Sequence, residues 1–184
     1  MAVVGADGCK GGRWFSVRLE GAHGWEVEVF RDIDSLWTAW GDASLILLDV
    51  PIGLAGADRS SRQCDSEARA RLGPRRSSVF TPPSRPCLEA RDFDEASAVN
   101  YAVTGRRISH QAWGILPRMR DVDQFLRSHP EAQSRIREVH PEVCFWALAG
   151  ESPMQHPKKS RQGRDERLVY CLVNSLTMSY LLEN

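Results

Sequence analysis

Along the first third of the chain, apolar residues run unbroken and then alternate. Residues 2–6 form a short apolar strand, followed by the turn-rich Asp7-Gly8-Cys9-Lys10-Gly11-Gly12. Trp14, Ser16 and Arg18 then alternate with Phe15, Val17 and Leu19, the period-two pattern of a half-buried strand. A turn at 21–24 leads into 25–30, where Trp25, Val27 and Val29 share one face. Asp32 or Asp34 is placed to cap a short helix carrying Ile33, Leu36, Trp37 and Trp40 at helical spacing. Leu45-Ile46-Leu47-Leu48 shows no alternation, which predicts a strand covered on both faces. Pro51 must end its ladder.

The middle of the chain is more irregular. Residues 64–72 form a polar helix stopped by Gly73-Pro74, and Pro82-Pro83 keep the following loop, 75–83, extended. Helices are predicted over 93–103 and 111–126, joined by the basic turn Gly105-Arg106-Arg107. A short strand over 136–140 is halted by Pro141. A short helix over 142–148, a polar loop over 151–163 and a last helix over 164–182 follow. This order predicts an α/β domain: a mixed five-stranded sheet whose first three strands form an antiparallel meander, followed by the fourth and fifth strands, flanked by helices.

Length and composition add bounds. At 184 residues, with 42% hydrophobic and 26% charged positions, the chain reads as one globular domain spanning 1–184. Its 24 basic and 24 acidic groups cancel, which removes the argument from a globally basic chain to nucleic acid. The balance is uneven along the chain, however: −4 over 1–60, +5 over 61–137 and −1 over 138–184. Of the basic residues 21 are arginines, whose planar forks suit phosphate and carboxylate. The cysteines, at 9, 64, 87, 144 and 171, lie at least 23 positions apart, so none has zinc-ribbon spacing. An odd, scattered set reads as reduced thiols in a cytoplasmic protein. No signal peptide or membrane-spanning apolar run is expected.

The chemistry concentrates where buried strands end in carboxylates. Asp7 follows the first strand and Asp49 the fourth. A carboxylate beside an apolar strand is costly unless its charge is compensated, and two close together repel. A divalent cation, Mg²⁺ or Mn²⁺, resolves both problems. Each Asp alone reads equally well as a turn or helix cap. Glu138 and Glu142, in Arg137-Glu138-Val139-His140-Pro141-Glu142, supply further acids, although Glu142 also suits a helix N-terminus. His140 reads as a ligand, a proton shuttle or a buried structural histidine. Gly8-Cys9-Lys10-Gly11-Gly12 lacks the spacing of a phosphate loop, and a strand follows it rather than a helix. Lys10, Arg75 and Arg76 are candidates for holding phosphate.

The chain resembles a family of predicted RNase H-like nucleases, a domain of unknown function designated DUF429. The resemblance is carried by Gly5-Ala6-Asp7-Gly8-Cys9-Lys10-Gly11-Gly12, Leu48-Asp49-Val50-Pro51-Ile52-Gly53-Leu54 and Arg62-Gln63-Cys64-Asp65. It continues through Arg75-Arg76-Ser77-Ser78-Val79-Phe80, Ile108-Ser109-His110-Gln111-Ala112-Trp113-Gly114-Ile115, Asp121-Val122-Asp123 and Glu138-Val139-His140-Pro141-Glu142. It implies an RNase H-like fold in which Asp7 and Asp49 occupy the metal-binding acid positions, with Glu138 or Glu142 as a third. Lys10, Arg75, Arg76, Ser77, Ser78 and His140 are the candidates for binding substrate phosphate. One departure stands out: the family's Asp-rich C-terminal helix is replaced over 168–184 by a stretch whose only acid is Glu183. The C-terminal part is therefore expected to be atypical or truncated.

Two functions follow as expectations. The first is a nuclease that hydrolyses RNA or DNA phosphodiesters with Mg²⁺ or Mn²⁺ and has no membrane partner; its oligomeric state is open, with a homodimer as one option. The second is a non-catalytic nucleic-acid or nucleotide-binding module of the same fold. A phosphotransferase or nucleotide hydrolase on a related sheet is a weaker third.

Overall fold

A computed structural model describes residues 1–21, 24–56 and 61–183, with side chains through 173. The expected turn at 21–24 and the acid-poor stretch at 168–184 therefore lie partly outside the described residues. In chain order the elements are β1 (Ala2–Gly8), β2 (Trp14–Glu20), β3 (Gly24–Phe30), α1 (Ile33–Trp40), β4 (Leu45–Leu48), α2 (Gln63–Leu72), α3 (Phe93–Thr104), α4 (His110–Ser128), β5 (Ile136–Glu138), α5 (Pro141–Leu148) and α6 (Arg161–Glu183). Short 3₁₀ segments occupy Lys10–Gly12, Gly73–Ser78, Arg85–Glu89 and Pro130–Ser134. Among the described residues no helix is long and apolar enough to cross a membrane. All five cysteines are free thiols.

The chain divides into two compact units. The first, residues 1–62 and 81–139, contains the whole sheet with α1, α3 and α4. The second, residues 63–80 and 140–184, contains α2, α5 and α6.

In the first unit five strands lie in the order β3-β2-β1-β4-β5. β1, β2 and β3 are antiparallel, whereas β4 and β5 run parallel to β1. This is the expected mixed sheet flanked by helices. Its core face carries Val4, Ala6, Trp14, Ser16, Ile46, Leu48 and Ile136, all buried. The buried stripes of α1 (Ile33, Leu36, Trp40) and α4 (Ala112, Leu116, Met119, Val122, Phe125) complete this core at helical spacing.

α1 starts where Asp32 accepts the Ser35 N–H at 2.9 Å, while Ser35 Oγ accepts the Asp32 N–H at 3.2 Å. This reciprocal cap satisfies two donors that would otherwise be orphaned. The Ser35 N–H and the Arg31 guanidinium hold the Asp32 carboxyl below its ordinary range.

β2 buries the face that looks more polar. Trp14 and Ser16 are inside, while Phe15 and Leu19 stand 46% and 52% exposed. The register pairs Phe15 with Val29, Val17 with Val27 and Leu19 with Trp25. The apolar alternation of β3 therefore faces outward, with Trp25 68% exposed.

The second unit contains the largest departure from expectation. The segment expected to be extended from residue 75 is instead wound into 3₁₀ geometry over Gly73–Ser78. Pro74 fits the first turn of that helix, where its missing N–H costs nothing, so its effect is the opposite of that of Pro82-Pro83 downstream.

Candidate functional site

Asp7 is the penultimate residue of β1, and Asp49 directly follows β4. The parallel register pairs Ala6 with Leu48, and the Asp49 N–H donates to the Ala6 carbonyl at 3.0 Å. Extending that register by one residue sets Asp7 beside Asp49. Both carry the parity of Gly5 and Leu47, opposite to buried Ala6 and Leu48, and both are exposed. The two carboxylates therefore emerge together from the open face, at the carboxyl ends of adjacent parallel strands. In open α/β sheets this edge is where ligands bind.

Glu138 does not join them. It pairs in register with Leu48, so it carries the parity of the core face rather than that of Asp49. Its carboxylate accepts the Ile52 N–H at 2.9 Å and forms an ion pair with buried Arg62. This register gives Glu138 the parity opposite to that of Asp7 and Asp49. Among the described residues no three His, Cys, Asp or Glu side chains gather into a metal-holding group. The Asp7–Asp49 pair nevertheless fits a hard cation, because Mg²⁺ is commonly held by one or two carboxylates, with water and substrate phosphate supplying its other oxygens.

Lys10 opens the exposed 3₁₀ turn that follows β1. Gly8, the last residue of β1, has no room for a side chain, because a Cβ there would overlap the Arg118 guanidinium from α4. Arg118 also donates to the Cys9 carbonyl. Sequence reasoning assigns no role to Arg62 or Arg118. A glycine inside a strand often marks close approach by another group, and Gly8 carries that signal.

The second unit holds the remaining candidates. Arg75 Nε donates to the Met154 carbonyl at 2.9 Å, and Arg75 lines a cavity of about 320 Å³ with Pro74, Pro153, Met154 and Gln155. Ser78 Oγ donates to the Arg75 carbonyl at 2.9 Å. His140 Nε2 donates to the Ser78 carbonyl at 3.2 Å, so this histidine ties α5 to the 3₁₀ segment. Arg76 and Ser77 are exposed. Glu142 is buried and accepts from Arg167 at 2.6 Å, and Arg167 also lies over the Phe145 ring. Together, Ser78, His140 and Arg75 form one hydrogen-bonded group, and Glu142 belongs to an ion pair.

No curated protein and no solved structure matches the chain. Over residues 5–174 the sequence matches the family described as Protein of unknown function (DUF429), and the chain belongs to that family.

Proposed function

We propose that this chain is a divalent-metal-dependent nuclease with an RNase H-like fold, in which Asp7 and Asp49 bind Mg²⁺ or Mn²⁺ at the ends of β1 and β4. What supports the reading is that Asp7 and Asp49 are exposed and directly follow the paired residues Ala6 and Leu48 of adjacent parallel strands. The strand order β3-β2-β1-β4-β5, with three antiparallel strands followed by two parallel to the first, supports the fold assignment. When bound, the cation would polarise a phosphoryl oxygen and supply a nucleophilic water at neutral pH. Asp7 and Asp49 hold the charge that attracts it. Glu138 acts behind them, fixing Arg62 and the backbone at Ile52 just past Asp49. In the second unit, exposed Arg76 and Ser77 are the positions from which that segment would meet phosphate.

The test is hydrolysis of single-stranded, duplex and hybrid nucleic acids with Mg²⁺ or Mn²⁺, comparing wild type with Asp7→Asn and Asp49→Asn. Loss of turnover in both variants is expected. Equal activity in all three proteins overturns the assignment.

A second reading is a non-catalytic nucleic-acid-binding module. It is favoured by the engagement of Glu138 and Glu142 with arginines. Metal-independent binding with steep salt dependence and no turnover would identify it.

A further inference from the structure

We propose that Lys10, Arg13 and Arg118 form an anion subsite at the end of β1 that takes a phosphate of a nucleic-acid backbone. The choice of a phosphodiester as ligand rests on the nuclease reading above; the subsite itself rests on the bond from Arg118 to Cys9, next to the turn that carries Lys10 and Arg13.

Arg118 is held in place from two sides. Its guanidinium fills the space left by the missing side chain of Gly8, and its Nη2 donates to the Cys9 carbonyl. Its Nε–H is buried and has no acceptor among the described residues. A guanidinium has five donors, so the bond to Cys9 leaves most of its capacity unused.

Lys10 and Arg13 lie on the turn between β1 and β2. That turn is closed by the Cys9 N–H donating to the Arg13 carbonyl at 2.8 Å. Gly11 and Gly12 make the reversal possible, with φ of 78° and 75°, which glycine adopts without strain. Arg13 Nε donates to the Lys10 carbonyl at 3.3 Å, which ties its stem to the turn.

Lys10, Arg13 and Arg118 differ from the arginines that are tied to a carboxylate. Arg18 pairs with Asp42 and Glu20, Arg62 with Glu138, Arg85 with Asp123 and Arg167 with Glu142. Among the described residues Lys10, Arg13 and Arg118 have no such partner, although Asp7 is a near neighbour in sequence. Cations without an acidic partner attract an anion, and the arginine fork matches phosphate geometry.

The test is anisotropy of a fluorescently labelled single-stranded oligonucleotide in EDTA, with inorganic pyrophosphate in a parallel calorimetric titration. Wild type is compared with Asp7→Asn, Arg118→Met and the double variant Lys10→Gln/Arg13→Gln. The double variant lies on an exposed turn, so it reports on the subsite even where Arg118→Met disturbs folding. Removing one charge-assisted hydrogen bond to phosphate should weaken oligonucleotide binding about tenfold. It should also flatten the log–log salt slope by about 0.7 for each phosphate that is no longer neutralised. Asp7→Asn should bind at least as tightly as wild type.

If the oligonucleotide binds and both cation variants match wild type, the subsite is overturned while the nuclease reading survives. If wild type ignores the oligonucleotide but holds pyrophosphate through Arg118, the subsite stands and the nucleic-acid reading falls. If neither probe binds, both are overturned.

Discussion

Arg167 on α6 and Glu142 on α5 form an ion pair 2.6 Å apart with both residues buried, at 9% and 6% exposure. Glu142 Oε2 and Arg167 Nε have no partner among the described residues, so each residue depends on the other for charge compensation. Removing one partner leaves an uncompensated buried charge, which typically costs about 3–5 kcal/mol, whereas replacing both with apolar residues costs far less. Glu142→Gln and Arg167→Met are each expected to lower the urea midpoint strongly, and Glu142→Leu/Arg167→Met to recover most of the loss. Additive losses in the double variant would mean that the pair is not the source of the stability.

Asp121 shows an opposite electrostatic effect. Burial pushes its carboxyl above the usual value near 3.8, and the N–H groups of Ile33 and Trp14 only partly offset that. The folded chain therefore keeps the proton to higher pH than the unfolded chain does. Stability contributed by the protonated group is fully present below the unfolded value and is lost as pH rises through the folded one. Asp121→Asn keeps an oxygen acceptor for both N–H groups and removes the charge. Its stability relative to wild type should rise between pH 4 and pH 7 in parallel urea titrations. A constant difference across that range would show that the buried charge is not the cost.

Trp14 and Trp25 test which face of the sheet is inside. Trp14 is fully buried, so Trp14→Ala should cost about 3–5 kcal/mol. Trp25 is 68% exposed, so Trp25→Thr should stay within about 0.5 kcal/mol and remove the emission most accessible to iodide. Comparable losses from the two substitutions would mean that the outer face is covered in solution.

These two tryptophans also show how far the sequence is legible. Alternation on β2 and β3 is visible in the residue order, and so are the resulting strands. The choice of buried face is not, because Phe15, Val17 and Leu19 are the more apolar set and yet Trp14 and Ser16 go inside. What decides it is tertiary: Trp14 Nε1 reaches Asp121 on α4, 107 positions away. The same limit applies to the candidate site. Asp7 and Asp49 stand out in the sequence because each ends a buried run, a local signal. Glu138 also ends a strand and so invites the same reading; one step of register, set by pairing with β4, turns it to the other face. Arg118 and Arg167 act through residues 109 and 25 positions away, and no spacing rule connects them.

Gly8→Ala provides a local test of the β1 end. The added methyl would overlap Arg118, so the guanidinium must leave Cys9 or the strand must shift. A destabilisation of about 1–3 kcal/mol is expected for such overpacking. In an Arg118→Ala background the same substitution should cost little, since the obstructing group is gone. Equal costs in both backgrounds would place the strain elsewhere.

The final prediction concerns the carboxylate pair without catalysis. Like charges directly opposite each other on adjacent strands destabilise a sheet by roughly 0.2–1 kcal/mol. In EDTA, Asp7→Asn should therefore melt at or slightly above the wild-type temperature, because the substitution removes repulsion from an exposed position. A cation that binds only the folded protein stabilises it by mass action. Millimolar Mg²⁺ or Mn²⁺ should then raise the wild-type melting temperature while leaving Asp7→Asn and Asp49→Asn nearly unchanged, reversing their order. Glu138→Gln separates a ligand from a support. It should melt lower than wild type in EDTA, because it weakens the hold on Arg62, yet keep the metal-induced increase. If wild type and both Asp variants respond alike to the metal, the cation is not held by the ends of β1 and β4.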